Sequence, residues 1–178
     1  MAEAFSNKLT RAAGIVSTSS SGAVGILTNL ITGISTVDVA VNDLVDNTQF
    51  ILGTKVSSVG ASQIVCDRDS TNTSATTNQS VKFLGPTTAY TSTGTKSILV
   101  GGTFANNTGS SVNLTVTVYD SSVTTEVGLA ANIPVPNGSS FVISDTGKTV
   151  LESSDEIRVY CDSANAIDAT LSILTGVS

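Results

Sequence analysis

Few residues in this 178-residue chain are able to do chemistry, and their spacing suits it poorly. Histidine is absent, which removes Ser-His-Asp and Cys-His nucleophilic systems, histidine-based zinc sites and the commonest general base. Three carboxylate pairs remain: Asp67 with Asp69, Asp155 with Glu156, and Asp43 with Asp46. Alternate residues of a strand share a face, so Asp67 and Asp69 can point together. Arg68 and the polar run after them nevertheless place this pair at an exposed end. Glycoside chemistry also needs a sugar-holding cleft, and the chain has neither Trp nor His to line one. Asp38, Asn42, Asp43 and Asp46 crowd one turn, but they do not match the Asp-x-Asp-x-Asp-Gly spacing of a calcium loop. Gly101-Gly102 follows a strand pattern without opening a helix, and no Gly-Lys-Ser/Thr accompanies it, so no phosphate cradle is expected. Cys66 and Cys161 lie far apart and form neither a zinc pattern nor a redox pair; they are read as small buried hydrophobes, with a disulfide as the alternative. No catalytic residue, cofactor or metal ligand is assigned.

The elements that would have to position any site are short strands. Val112-Asn113-Leu114-Thr115-Val116-Thr117-Val118-Tyr119 alternates apolar and polar residues, the mark of a half-buried strand. Asn106-Asn107-Thr108-Gly109-Ser110 supplies turn chemistry before it, so residues 97–104 and 112–119 are most simply joined as a hairpin. Period-two patterns recur over residues 140–144, 156–162 and 169–174. Six or more strands at this spacing suggest an all-β fold, with a C-terminal antiparallel sandwich or jelly-roll-like domain over residues 87–178. A smaller β domain is expected over residues 23–86, with strands at 26–31, 37–41, 54–59, 62–66 and 80–84. Between Asp67 and Gln79 an almost wholly polar run predicts a projecting loop. Residues 1–22 read as an N-terminal arm, with a helical start near Ala2–Ala13 and a Ser-rich stretch, Ser17–Gly22, unable to pack. An alternative stays open: the middle region is one excursion from a single sandwich whose first strand the arm supplies.

Composition narrows the function classes. Charged residues are 12% and aromatics 4%, so the core is aliphatic, the surface is polar but mostly uncharged, and an aromatic binding platform is not available. Such a surface loses little solvation when apposed to another protein. A net charge of -6 and eight scattered basic residues argue against nucleic acid. The start of the chain has no basic region followed by an apolar run, so no secretory signal is read. The most apolar window, residues 23–34, is broken by Gly25, Thr28, Asn29, Thr32 and Gly33 and falls short of the roughly 20 residues of a membrane helix, so no membrane partner is expected.

At this point the residues resemble a family. Lys96–Gly109, Val112–Asp120, Ile133-Pro134-Val135-Pro136-Asn137-Gly138-Ser139-Ser140, Val150-Leu151-Glu152, Asp155-Glu156-Ile157-Arg158-Val159 and Asp168–Leu174 together look like a small β-sandwich of virion structural proteins of tailed bacteriophages, cyanophages especially. The opening Ala2-Glu3-Ala4-Phe5 is similar too. Residues 31–36, 41–45 and 53–59 resemble a short β module of phage fibre and virion proteins. The resemblance implies a non-enzymatic virion component in several copies, at the head–tail neck, at the collar or as a capsid decoration. Its partners would be copies of itself and other virion proteins. In this reading Phe5, Leu9, Ile15, Ile26 and Leu27 anchor the subunit to its neighbours, and Asp67, Arg68, Asp69 and Asn72 form an exposed loop facing solvent or a partner. The rival is a receptor- or glycan-binding module of a tail fibre or spike, offering hydroxyl and carboxylate groups from residues 67–79 and 91–95; the shortage of aromatic residues tells against it.

Overall fold

The computed structural model describes residues 3–177, including all their side chains except those of residues 20 and 145–147. Fourteen strands and no helix are present among the described residues. The chain begins with β1 (Ala4–Ala13) and continues through β2 (Ile15–Val24), β3 (Leu30–Thr32), β4 (Leu44–Asp46), β5 (Val56–Val59), β6 (Gln63–Cys66) and β7 (Thr76–Gly85). It then runs through β8 (Thr87–Thr91), β9 (Lys96–Asn106), β10 (Val112–Asp120), β11 (Thr125–Val135), β12 (Ser140–Glu152), β13 (Glu156–Cys161) and β14 (Ile167–Thr175). The all-β expectation holds. Two compact units divide the chain: one takes the segment up to Gly14 together with everything from Thr87 onward, the other is Ile15–Pro86.

The first unit is two four-stranded sheets ordered β1-β14-β9-β12 and β11-β10-β13-β8. If its eight strands are counted along the chain, the orders are 1-8-3-6 and 5-4-7-2, the double Greek key of a jelly roll. Period-two alternation builds its core. Val112, Leu114 and Val116 of β10 and Ile157, Val159 and Cys161 of β13 point inward from one sheet, and Leu99, Phe104, Leu151, Ile167, Leu171 and Ile173 point inward from the other. The expected hairpin between residues 97–104 and 112–119 does not form, because β9 pairs with β12 and β14 while β10 pairs with β11 and β13. The cause is the buried Asn106, whose Nδ2 donates to the carbonyls of Ser110 and Val135 at 2.8 Å while its Oδ1 accepts from the Thr108 amide, also at 2.8 Å. These bonds carry the chain across to the opposite sheet.

The second unit is a six-stranded antiparallel sheet, β4-β7-β2-β3-β6-β5. Its outer strands meet, Val45 N donating to Thr54 O at 2.8 Å and Val56 N to Asp43 O at 2.9 Å, so the sheet closes into a small barrel around Ile31, Val56, Ile64, Val81 and Phe83.

The arm of residues 1–22 requires correction. Its first two residues lie outside the described residues. Ala4–Ala13 is not helical but pairs antiparallel with β14, from Ala4 opposite Thr175 to Ala13 opposite Ile167. The Ser-rich stretch lies inside β2, an interior strand of the barrel paired with β7. Small side chains suit that position. Ser19 is buried and its Oγ accepts from the Ser35 amide at 3.2 Å, and a Cβ on Gly22 would stand 3.0 Å from Val81 Cγ2. The boundaries expected at 22/23 therefore fall elsewhere, at Gly14/Ile15, with the middle unit inserted between the first two strands of the jelly roll. Residues 37–41 form turns rather than a strand, and β11, with Pro134 on a sheet edge, is a strand that the expectations did not include although Val127, Leu129, Ile133 and Val135 fall at alternate positions.

Candidate interaction surface

Strand β1 has the reverse of the polarity its position calls for. Directly opposed residues of a sheet share a face, so Ser6, Lys8 and Thr10 lie on the core side with Ile173, Leu171 and Ala169, whereas Phe5, Asn7 and Leu9 lie on the outer side. Phe5 is 63% and Leu9 76% exposed. The register extends this across the sheet. Phe5 opposes Leu174, Leu174 opposes Ile98 and Ile98 opposes Val150, a row of four apolar side chains on the outer face. Two strand positions along, Leu9, Thr170, Thr103 and Val142 form a second row, and between the two lie Asn7, Ser172, Gly101 and Ser144. Val142 and Val150 are each more than half exposed. These three rows carry no charge. Exposed Lys148 lies on β12 between Ser144 and Val150, the Lys96–Glu152 pair (3.3 Å) stands at one end, and Asp168, which accepts from the Ala12 amide at 2.8 Å, stands at the other.

The remaining expected anchors belong to the second unit. Ile15, at the start of β2, and Ile26 and Leu27, in the turn before β3, are exposed. Ile26 lines a shallow open groove of about 440 Å³ with Ala23, Leu30, Ala75 and Thr76. Within the first unit the structure brings Phe5 and Leu9 onto one face, and the other three anchors belong to the second unit.

The polar run after Cys66 does not project freely. Asp67 Oδ1 accepts from the Lys55 amide at 2.8 Å, and Asp67 stands 3.8 Å from the Arg68 guanidinium. Ser70 is buried, its Oγ accepting from the Thr28 amide and donating to Gly25 O. Asn72 folds over Ser74, donating from Nδ2 to its carbonyl at 2.6 Å, and Asp69 is exposed. From Thr76 onward the run is already strand β7.

Asp155 and Asp43, two of the other carboxylates considered in sequence, are held by backbone donors, and Glu156 by the Thr88 hydroxyl and the Arg158 guanidinium. Asp155 accepts from the amides of Ser121 (3.0 Å) and Glu152 (2.9 Å), and Asp43 from that of Ala40 (2.8 Å). Burial pushes the Asp43 carboxyl above its ordinary pKa against that hydrogen bond. Among the described residues no group of acidic or thiol side chains is placed to hold a metal ion. Cys66 and Cys161 are buried thiols in separate cores, and burial, helped by Asp67, pushes the Cys66 thiol up to about 12.

Sequence reasoning missed a buried polar cluster on the outer side of the second sheet. The side chain of Glu126 on β11 is 3% exposed; it accepts from the hydroxyls of Thr117 and, at 2.8 Å, Tyr160, and lies 3.4 Å from Arg158. Arg158 also binds Glu156 at 2.7 Å and lies over the Tyr119 ring, 3.7 Å from its centroid. Burial opposes charge on Arg158, but the hydrogen bond and charge of Glu156, with the charge of Glu126, outweigh it and raise its pKa. Tyr160 is pushed up by burial and then by Glu126, so it stays a protonated donor. Saturated by its own neighbours, the cluster fastens β10, β11 and β13 together and leaves no group over for a substrate. The outward parity of Thr117, Tyr119, Arg158 and Tyr160 was its signal in sequence; Glu126 stands at a polar position of the alternating run that forms β11, a strand the sequence expectations did not include.

No protein-family model matches this chain, and no curated protein matches it.

Proposed function

We propose that this chain is a non-enzymatic structural component of a tailed-phage virion, built in several copies into the neck, the collar or the capsid surface. The observation that carries the reading is the outer face of the first sheet, where Phe5, Leu9, Val142 and Val150 are exposed in two rows that the strand registers align. Large apolar residues aligned on one rigid face favour association with another protein surface. The jelly-roll order fits this role, since viral capsid domains use it; lectin domains use it too, so the choice rests on the surface and not on the fold. Carboxylates that a sugar site would need are engaged with backbone amides, as Asp43, Asp67 and Asp155 illustrate.

The test is to purify phage particles from a host carrying a tagged copy of the gene and image them with the chain traced in place. Regular, symmetry-related copies in the neck, collar or shell support the reading. Absence from particles, or saturable binding of the isolated chain to a glycan array, would overturn it.

A further inference from the structure

We propose that Asn137 is a site of spontaneous covalent modification, where the side-chain amide closes onto the backbone nitrogen of Gly138 and the resulting ring opens with water to aspartate and isoaspartate.

Three observations meet at this residue. The first is sequence. Asparagine is among the thermolabile side chains, Asn137-Gly138 is the one Asn-Gly pair in the chain, and glycine puts no side chain in the path of the attacking nitrogen. The second is the turn. The Ser139 amide donates to Pro136 O at 3.2 Å, closing a four-residue turn around Asn137 and Gly138, and Gly138 has φ +67°, the position of a type II turn that glycine fills. Because Ser139 supplies the closing donor, the Gly138 amide stays outside that hydrogen bond. The third is access. Asn137 and Gly138 are both exposed, and a Cβ on Gly138 would meet nothing within 4 Å, so the ring has room to form and water can reach it. Asn106 is the contrast: it is buried, and its amide is engaged with Ser110, Val135 and Thr108, so it cannot turn onto the next backbone nitrogen.

The reaction balances with water as its one co-reactant. The Gly138 nitrogen bonds to Cγ of Asn137, the Cγ–Nδ2 bond breaks, and Nδ2 leaves as ammonia with the proton that the Gly138 amide gives up. Water then adds to one of the two ring carbonyls. Opening at Cγ leaves aspartate on an unchanged backbone; opening at the other carbonyl leaves isoaspartate, with the chain routed through the former side chain and one carbon longer. Either product adds a negative charge. The turn joins β11 of one sheet to β12 of the other, and Asn106 clamps it on both sides, Nδ2 donating to Val135 O at 2.8 Å and its amide to Ser139 O at 2.9 Å. A longer backbone between the clamps pulls against the hydrogen bonds of a buried side chain, which are costly to lose. The change needs no enzyme, so it accumulates with time since synthesis and this corner of the jelly roll records the age of the molecule.

The experiment is incubation of the full chain in neutral and in mildly alkaline buffer. Peptide mass spectrometry locates each converted asparagine, and an isoaspartyl methyltransferase with a labelled methyl donor counts isoaspartate. Conversion is expected to concentrate at Asn137, ahead of Asn106 and every other asparagine, and to quicken with pH because the attacking nitrogen must lose its proton. Asn137→Gln, which would have to close a larger ring, is expected to abolish the methyl-acceptor signal, and Gly138→Ala to slow its appearance; circular dichroism verifies that both variants are folded. Once separated by anion exchange, the isoaspartyl form is expected to melt below the aspartyl form. An Asn137 that stays intact while other asparagines convert, or a Gly138→Ala variant that reacts as fast as wild type, overturns the site. Equal melting of the two product forms overturns the strain at the corner.

Discussion

Arg158→Met should be among the most damaging single changes in the first unit. Arg158 is the cation that Glu126 faces at 3.4 Å, and the Glu126 side chain is 3% exposed. Methionine keeps much of the volume and the packing over Tyr119 but takes the guanidinium away from a buried carboxylate that also accepts from two hydroxyls. Removing one member of a buried pair costs about 3–5 kcal/mol, chiefly through the charge left behind. Set against a total stability of roughly 5–15 kcal/mol, and at about 4–8 °C per kcal/mol for a domain near 100 residues, the unit should melt more than about 10 °C lower. The companion variant Glu126→Gln/Arg158→Met removes the stranded charge while retaining an acceptor for Thr117 and Tyr160, so it should recover most of the loss. Urea unfolding followed by circular dichroism, completed as a double-mutant cycle, reads the coupling directly. A single variant within about 1 kcal/mol of wild type, or a double variant no better than the single, would refute the view that Glu126 and Arg158 act as one unit.

Other expectations concern backbone, thiol and carboxyl. Gly14 has φ +125°, and a Cβ there would collide with the Ser163 carbonyl; Gly14→Ala should cost at least about 2 kcal/mol in thermal unfolding of the first unit, and a neutral outcome would mean that the junction relaxes freely. With its thiol pushed up to about 12 and fully buried, Cys66 should resist iodoacetamide at pH 8 until the second unit unfolds, as peptide mass spectrometry can follow; native labelling at the denatured rate would contradict this. Asp43 has a folded pKa raised by burial, so its contribution is greatest below the ordinary carboxylate range and is lost as pH rises through the folded value. The stability of wild type relative to Asp43→Asn should therefore fall as pH rises above the ordinary carboxylate range of about 4; a difference that stays flat or grows would be evidence against a raised carboxyl.

Strands that bury one face and wet the other could be read directly. Val112–Val118 and Ile157–Cys161 announce themselves by alternation, and their inward residues are the core of the jelly roll. Ser17–Gly22 could not be read, because its place depends on what surrounds it. The space beside Gly22 is limited by Val81 and Ile34, neighbours distant in sequence, and no hydrophobic period marks the strand. Phe5 and Leu9 stand four apart, a spacing that suits one side of a helix as well as one face of a strand; only pairing with Leu174 and Thr170 decides between them. The rows these two belong to depend on registers with β9, β12 and β14 that local sequence does not encode. Glu126 escaped for the same reason: its partners lie on other strands.

The pairing of β1 with β14 also governs how the molecule must be born. Ala4 and Thr175, hydrogen-bonded in the finished sheet, are 171 residues apart, so at roughly 5–20 residues per second the ribosome keeps the leading segment waiting on the order of ten seconds for its mate. During that interval the inserted barrel, whose strands all lie within Ile15–Pro86, can complete itself. Gly14 and Thr87, joined in the finished protein by a 3.2 Å hydrogen bond from the Gly14 amide, are then tethered by a folded body in place of a long floppy loop. Translation halted before Ile167 would strand the opening segment without a mate, so the synthesis of β14 is the step that seals the first unit.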